Sequence, residues 1–282
     1  MNDSRTDFDL QGHRGARGLM PENTIPGFLK AMDLGVNTIE MDLVVTSDEE
    51  LLVSHEPWFS HLFTTHPTGE PVTEEEERTL NIYQMTYEET QQYDVGMRIN
   101  PNFPHQQPME VTKPLFRDAV QAVEQYAQEN NLQKPFYNIE TKSDPRYYGE
   151  RVPMPETFAR LLNQELERLD EEFDIMDRVI IQSFDPQTLI EFRKLNDTAD
   201  LAMLVSNSQT IESAIDTLGF VPDIWSPNYS LVTPELVAEA AERDMRVIPW
   251  TINTVDEMRR QLEMGVDGII TDYPDSAAVL RQ

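Results

Sequence analysis

Thr38-Ile39-Glu40-Met41-Asp42-Leu43-Val44-Val45 is the stretch from which the rest of the chain is read. Successive side chains of an extended strand point to opposite faces, so Glu40 and Asp42 share one face while Ile39, Met41 and Leu43 share the other. The apolar face packs on helices. The acidic face then looks into an interior, where two carboxylates are costly unless something positive meets them. A hard divalent cation is the economical partner.

Working outward, short β-branched or apolar runs alternate with helical patterns, the signature of a parallel sheet built from βα units. The strand candidates are Phe8–His13, Thr38–Val45, Phe136–Glu140, Val179–Gln182, Leu201–Val205, Ile224–Ser226, Arg246–Trp250 and Gly268–Thr271. The helix candidates are Ile25–Leu34, Leu115–Asn130, Glu156–Phe173, Pro186–Asn196, Thr210–Leu218, Pro234–Arg243, Val255–Met264 and Ser276–Leu280. Thr233 before Pro234 and Asp185 before Pro186 are good helix caps. Eight strands predict an α/β fold, a closed (β/α)8 TIM barrel, as one domain over 1–282. Residues 56–112 break the rhythm, being rich in Pro, Glu, Thr and Gln without sustained periodicity. That is too long for an ordinary loop and is expected to be an insertion or lid over the barrel mouth. The acidic Glu74–Glu77 run within it is expected to be a solvated helix start.

The 282 residues carry 22 Lys+Arg against 51 Asp+Glu, a net charge of −29. Such a field repels phosphate, which argues against nucleic acid or anionic membrane as a bulk-surface partner. Any phosphate-bearing substrate needs a local positive site. With no Cys, thiolate nucleophiles and Cys-ligated metals are excluded. No run approaches the roughly 18 apolar residues of a membrane span, so no stable membrane insertion is expected. The polar start Met1–Asp9 reads as cytoplasmic by default, or as periplasmic or secreted if a leader was trimmed. The acidity, with five Lys beside seventeen Arg, suits a salt-rich habitat.

The densest chemistry lies in Gln11-Gly12-His13-Arg14-Gly15-Ala16-Arg17-Gly18, which holds three of the chain's eleven glycines. Glycines at a strand exit let backbone N–H groups approach an anion, while His13 adds a proton shuttle and Arg14 a bidentate cation. Thr46–Glu50 separates two strand-like pieces. A two-residue Asp48-Glu49 loop would set His55 opposite Asp42 and return a second His to the acidic pair. In Phe136–Lys142, alternation places Asn138, Glu140 and Lys142 on one face. Glu140 completes a three-carboxylate cation site with Glu40 and Asp42, and Lys142 supplies a second cation for phosphate. All of these fall at the C-terminal ends of barrel strands, where such barrels put their sites. Trp250 ends its strand at the same mouth and is a candidate for packing on substrate, with Tyr273 and Phe184 of the same kind.

The chain resembles the glycerophosphodiester phosphodiesterase family. The matching pieces are His13-Arg14-Gly15-Ala16, Pro21-Glu22-Asn23-Thr24, Glu40-Met41-Asp42, His55, Glu140-Thr141-Lys142, Gln182-Ser183-Phe184-Asp185, Trp250-Thr251-Ile252-Asn253 and Ile270-Thr271-Asp272-Tyr273-Pro274. The resemblance implies a (β/α)8 barrel with a small insertion after the His-bearing hairpin. It also implies one divalent cation, Mg²⁺ or Ca²⁺, and hydrolysis to sn-glycerol 3-phosphate and an alcohol, by way of a cyclic phosphate. Carried over by residue, Glu40, Asp42 and Glu140 are the metal ligands, His13 and His55 the acid/base pair, and Arg14 and Lys142 the phosphate contacts. Three departures stand out: Glu56 where the family commonly has Asp, Glu49 where it has Gly, and an insertion that is long and Pro-rich. They bear on which alcohol the pocket accepts.

Other readings make different demands. A catalytically silent barrel that binds glycerophosphodiesters or lipid head groups would lack a His or a carboxylate of this set, and none is missing. A phospholipase-like phosphodiesterase shares the His pair and acid cluster but calls for an apolar membrane-docking stretch. A sugar isomerase or aldolase barrel calls for a Schiff-base Lys or a late phosphate-binding Gly loop, which Gly265-Val266-Asp267-Gly268 matches poorly. Head group, choice of cation, order of the histidines and oligomeric state stay open at this level.

Overall fold

Thr24, Asp185, Thr210, Thr233 and Thr254 each lend a side-chain oxygen to a backbone N–H in the first turn of a helix, and three of those helices also carry a Pro there. These caps mark where the chain turns from strand to helix. In the computed structural model, which describes residues 8–277, the order is β1 (Asp9–Gly12), α1 (Ile25–Asp33), β2 (Thr38–Val45), β3 (Leu51–Val53), α2 (Tyr87–Thr90) and α3 (Phe116–Glu129). There follow β4 (Phe136–Thr141), α4 (Pro155–Phe173), β5 (Val179–Ser183), α5 (Pro186–Leu195), β6 (Asp200–Val205), α6 (Ile211–Leu218), β7 (Ile224–Pro227), α7 (Pro234–Ala241), β8 (Arg246–Val247), α8 (Val255–Glu263) and β9 (Gly268–Thr271). The expected helix at Ser276–Leu280 lies largely outside the described residues.

Eight strands run parallel in the order β8-β7-β6-β5-β4-β2-β1-β9. The ring closes through the backbone: Asp267 N donates to Val247 O at 2.9 Å, and Ile270 N to Pro249 O at 3.0 Å. The fold is thus the α/β barrel read from the sequence. β8 is shorter than the expected Arg246–Trp250, because Pro249 has no N–H to give to the ladder. All eight residues of β2 are buried. Ile39, Met41 and Leu43 join the large apolar layer beneath the helices, with Phe28 of α1, Phe116 of α3 and Phe158 of α4. Truncating one such fully buried Phe to Ala costs about 3–5 kcal/mol. A second layer, Ile180, Ala202, Ile224, Ile248 and Ile270, fills one side of the barrel's interior. Its other side is polar: Asn138 Nδ2 donates to Gln11 Oε1 at 2.7 Å and to Gln182 Oε1 at 3.2 Å.

The hairpin β2–β3 differs from expectation by one residue. Leu43 pairs with Val53, and Ser54 N donates to Asp42 O at 2.9 Å, so Ser54 and not His55 stands opposite Asp42. The loop has three residues, Ser47-Asp48-Glu49, closed by Thr46 N to Glu50 O at 3.0 Å. Glu49 takes φ +60°, the left-handed position of a three-residue hairpin loop, where Gly is the easier residue.

Between β3 and α3 the chain is mostly irregular, with single 3-10 turns at Glu77–Thr79 and Ile82–Gln84. The Glu74–Glu77 run leads into the first of these and not into an α-helix. This segment has its own apolar cluster: Phe59, Phe63, Ile82 and Val95 pack on Val44 and Leu52 of the hairpin. No helix among the described residues is long and apolar enough to cross a membrane.

Candidate active site

The register of β2 against β4 sets Asp42 directly beside Glu140, with Glu40 one inward position back. Ligand oxygens of Glu40, Asp42 and Glu140 all lie within 4.8 Å of one another, and the three residues are buried. Neutral or backbone donors hold Glu40 and one oxygen of Asp42. Glu40 accepts from Arg14 N at 2.7 Å and Gln182 Nε2 at 2.8 Å, and Asp42 accepts from Asn23 Nδ2 at 2.8 Å. Asp42 Oδ1 is buried and takes no hydrogen bond from the described residues. Burial, with Asp42 and Glu140 as neighbours, pushes the Glu40 carboxyl well above its ordinary range, and burial also raises Glu140. Burial opposes ionisation of Asp42 as well, but Arg14, His55 and Lys142 hold it well below the usual carboxylate range. Crowded carboxylates, all-oxygen donors and an orphaned buried oxygen together fit a hard divalent cation.

Two cations flank the trio. Arg14 Nε lies 3.3 Å from Asp42 Oδ2, and its NH1 donates to Glu22 at 2.7 Å. Lys142 Nζ lies 2.6 Å from Glu140 Oε1 and 3.7 Å from Asp42 Oδ1. The glycine cluster brings an amide to an anion as expected, but the anion is the protein's own Glu40. Gly15 is needed for a different reason: at φ +84° any Cβ would sit 2.6 Å from the carbonyl carbon of Gly27 in α1.

Each candidate histidine has a carboxylate on Nδ1. His13 Nδ1 lies 2.7 Å from Asp272 Oδ1, and His55 Nδ1 lies 2.6 Å from Glu56 Oε1. With Nδ1 engaged, Nε2 is the ring nitrogen of each that is chemically able to exchange a proton. Asp272 is itself fixed by Arg17 Nε at 2.7 Å and Asn253 Nδ2 at 2.7 Å. Burial first, and then Arg17, push the His13 imidazolium down to about 4 against the opposing pull of Asp272. Behind His55, the buried Lys113 donates to Ser54 Oγ at 2.8 Å, and Ser54 Oγ donates to Glu56 O at 2.7 Å.

His13, Arg14, Glu40, His55 and Glu140 line one cavity of ≈ 220 Å³, with Trp250 and Phe184 in its wall. The structure thus brings together every predicted ligand and histidine. Trp250 packs on the interior isoleucine layer, donates Nε1 to Ser226 O at 2.9 Å and meets Phe184 edge to face at 5.4 Å. It is both core and wall. Tyr273 lines neither described cavity of the site; it packs against Gly18 and Phe103. A larger cavity of ≈ 570 Å³ adjoins the first, sharing His55, Glu140 and Phe184, and is walled by Trp58, Arg78, Arg146 and Tyr147.

Sequence reasoning assigned no role to Glu22, Asn23, Gln182, Asn253, Asp272 or Glu56. Five of them lie within the motifs that carry the family resemblance, and Glu56 stands where that family commonly has Asp. What was missing was a way to know their partners, since Asn23 and Asp42 meet only once β1 and β2 are paired.

Residues 13–276 match the glycerophosphoryl diester phosphodiesterase family. A glycerophosphodiester phosphodiesterase of Bacillus altitudinis is 30% identical over 276 residues, 96% of this chain and 96% of that one. The solved structure of a protein from Silicibacter pomeroyi, described as a glycerophosphoryl diester phosphodiesterase, is similar with a TM-score of 0.85 and 29% identity, covering 97% of this chain and 93% of that chain. A phosphodiesterase of Oleispira antarctica, solved with the product sn-glycerol-3-phosphate, shares the fold with a TM-score of 0.75 at 18% identity, covering 97% of each chain. A match that runs through both ends of the barrel, at this level of identity, makes the chain a member of the glycerophosphoryl diester phosphodiesterase family of enzymes.

Proposed function

We propose that the protein hydrolyses glycerophosphodiesters to sn-glycerol 3-phosphate and an alcohol, with one divalent cation, Mg²⁺ or Ca²⁺, and with His13 and His55 as the acid/base pair. The observation that carries this reading is that both carboxylate-backed histidines open onto the same cavity as the three-carboxylate cluster. Glu40, Asp42 and Glu140 would hold the cation, which when bound supplies Lewis-acid withdrawal of charge from a phosphate oxygen.

The chain's own residues do the rest. Arg14 and Lys142 face the growing charge on the phosphate, as positive groups held in place by Glu22, Asp42 and Glu140. His13, held neutral by burial and Arg17, takes the proton from the attacking oxygen. Asp272 steadies the imidazolium that forms. His55, at the boundary of the two cavities, gives its proton to the departing alkoxide, which leaves into the larger cavity. Trp250 and Phe184 pack on the glycerol end. Residues 56–112 belong to this single catalytic domain as the outer wall of the alcohol side, through Glu56, Pro57, Trp58 and Arg78.

The test is release of glycerol 3-phosphate from a panel of glycerophosphodiesters, by protein stripped with a chelator and then given Mg²⁺ or Ca²⁺ separately. Release restored by a cation is the expected result. Folded protein that releases none with either ion overturns the reading.

A further inference from the structure

We propose that the larger cavity accepts a leaving alcohol with a negative charge of its own, a phosphate or carboxylate, in preference to an ammonium-bearing one. This rests on the phosphodiesterase reading above and names the alcohol that reading leaves open.

The first support is the charge census. With 51 acidic against 22 basic side chains, the expectation for any arginine is a carboxylate neighbour. Arg78 follows four consecutive glutamates, Glu74 to Glu77, yet the 3-10 turn it stands on directs its neighbours elsewhere. Glu76 accepts from Thr73 Oγ1 at 2.7 Å and meets His66, and Glu77 meets His61 Nδ1 at 2.7 Å. The Arg78 guanidinium lies over the Trp58 ring at 5.0 Å, and no carboxylate among the described residues is paired with it. Arg151 is alike: it donates to Arg78 O at 2.7 Å, lies over Trp58 at 5.5 Å, and has no carboxylate partner among the described residues.

The second support is that the carboxylates in the cavity wall are already engaged. Glu56 holds His55, Glu140 holds Lys142, and Asp144 holds Arg146 at 2.5 Å. Arg78 is therefore the wall cation left without a carboxylate among the described residues, with the equally unpaired Arg151 beside it over Trp58. The third concerns the aromatic rings that would otherwise receive a quaternary ammonium. Trp58 carries Arg78 and Arg151, and Tyr147 carries Arg146 at 5.5 Å and Arg151 at 5.8 Å. At Trp58 and Tyr147 an incoming ammonium meets guanidinium where it needs a bare ring, which leaves only Phe184, on the side shared with the smaller cavity, without one. In a chain of net charge −29, a local positive wall is also what an anionic substrate requires to approach at all.

The wall is rigidly made. Asn81 Nδ2 donates to Glu150 O at 2.8 Å, and with the Arg151–Arg78 contact this clamps the insertion to the segment after β4.

The experiment compares kcat/KM for glycerophosphoglycerol, the same diester bearing a terminal phosphate on its alcohol, and glycerophosphocholine, with Mg²⁺ or Ca²⁺ present. The phosphorylated alcohol is expected to lead its parent by about tenfold, the size of one or two partly screened charge pairs, and the gap to narrow with added salt. In Arg78→Glu that ratio should fall below one, and in Arg146→Gln it should fall toward one. Equal or better turnover of the choline diester, or a ratio unmoved in Arg78→Glu, overturns the proposal and leaves the phosphodiesterase reading intact. No turnover of any of the three by folded protein overturns both.

Discussion

His13 Nδ1 and Asp272 Oδ1 lie 2.7 Å apart, although 259 positions separate them in the chain. β1 and β9 are neighbours in the barrel, with Gly12 beside Thr271, so the first and last strands deliver the histidine and its carboxylate to one point. Asp272 holds the ring's orientation, and in the proposed mechanism it would balance the imidazolium formed when His13 takes a proton. Asp272→Asn keeps the shape of the carboxylate but not its charge. It should lower kcat by about a hundredfold or more with little change in KM. A KM effect at unchanged kcat would show that Asp272 serves binding alone.

The depressed His13 pKa sets a pH window. Its folded value of about 4 lies below the ordinary 6.5, so the unfolded chain binds the extra proton between those values. The contribution is complete above pH 6.5 and is lost as pH falls toward 4, amounting to about 3 kcal/mol. Denaturant titrations from pH 7 to 4 should therefore show falling stability. In His13→Gln the slope over that range should flatten, and an unchanged slope would refute the assignment.

Three buried carboxylates without a cation repel one another. Burial and the neighbouring Asp42 and Glu140 disfavour the Glu40 anion, and Glu40→Gln removes that burden, so the metal-free variant should be at least as stable as the parent, whereas added Mg²⁺ or Ca²⁺ should raise the melting temperature of the parent only. Cation binding by the parent should also release protons, because Glu40 holds its proton to higher pH than usual. An equal thermal shift in the variant would remove Glu40 from the ligand set.

The reach of the sequence follows from the range of each interaction. Glu40 and Asp42 were readable because alternation is local to one strand, and Glu140 and Lys142 for the same reason. The register of the hairpin was misread because Glu49 adopts a left-handed conformation that a glycine would have announced. His55 still reaches the cavity, since it lies past the end of β3, where the ladder no longer dictates its face. Trp250 was placed at the mouth from a strand that ends earlier than expected, Pro249 having interrupted it. Asp272 as the partner of His13 is not legible in the sequence, because a closed barrel sets β9 beside β1 without saying which side chains past their ends meet. The pairing of Glu56 with His55 is adjacent in sequence, but nothing in the sequence says which nitrogen it takes.

The charge of −29 has a consequence for the whole molecule. Self-repulsion in a chain with 51 acidic against 22 basic groups opposes compaction, and added salt screens it within about 8–10 Å near physiological ionic strength. The melting temperature should rise from low salt to 1 M NaCl. A flat or falling dependence would show that local ion pairs outweigh the net field.

In the proposed mechanism His13 and His55 divide the proton transfers, with His55 serving the leaving alcohol. The most direct measurement is kcat/KM of His13→Ala and His55→Ala on glycerophosphoglycerol and on a glycerophospho-4-nitrophenyl ester, whose leaving group needs no proton. His55→Ala should lose about a hundredfold or more on the alkyl diester but recover most of that on the nitrophenyl ester, while His13→Ala stays slow on both. Equal losses on the two substrates for His55→Ala, or recovery in His13→Ala instead, would contradict the division of roles.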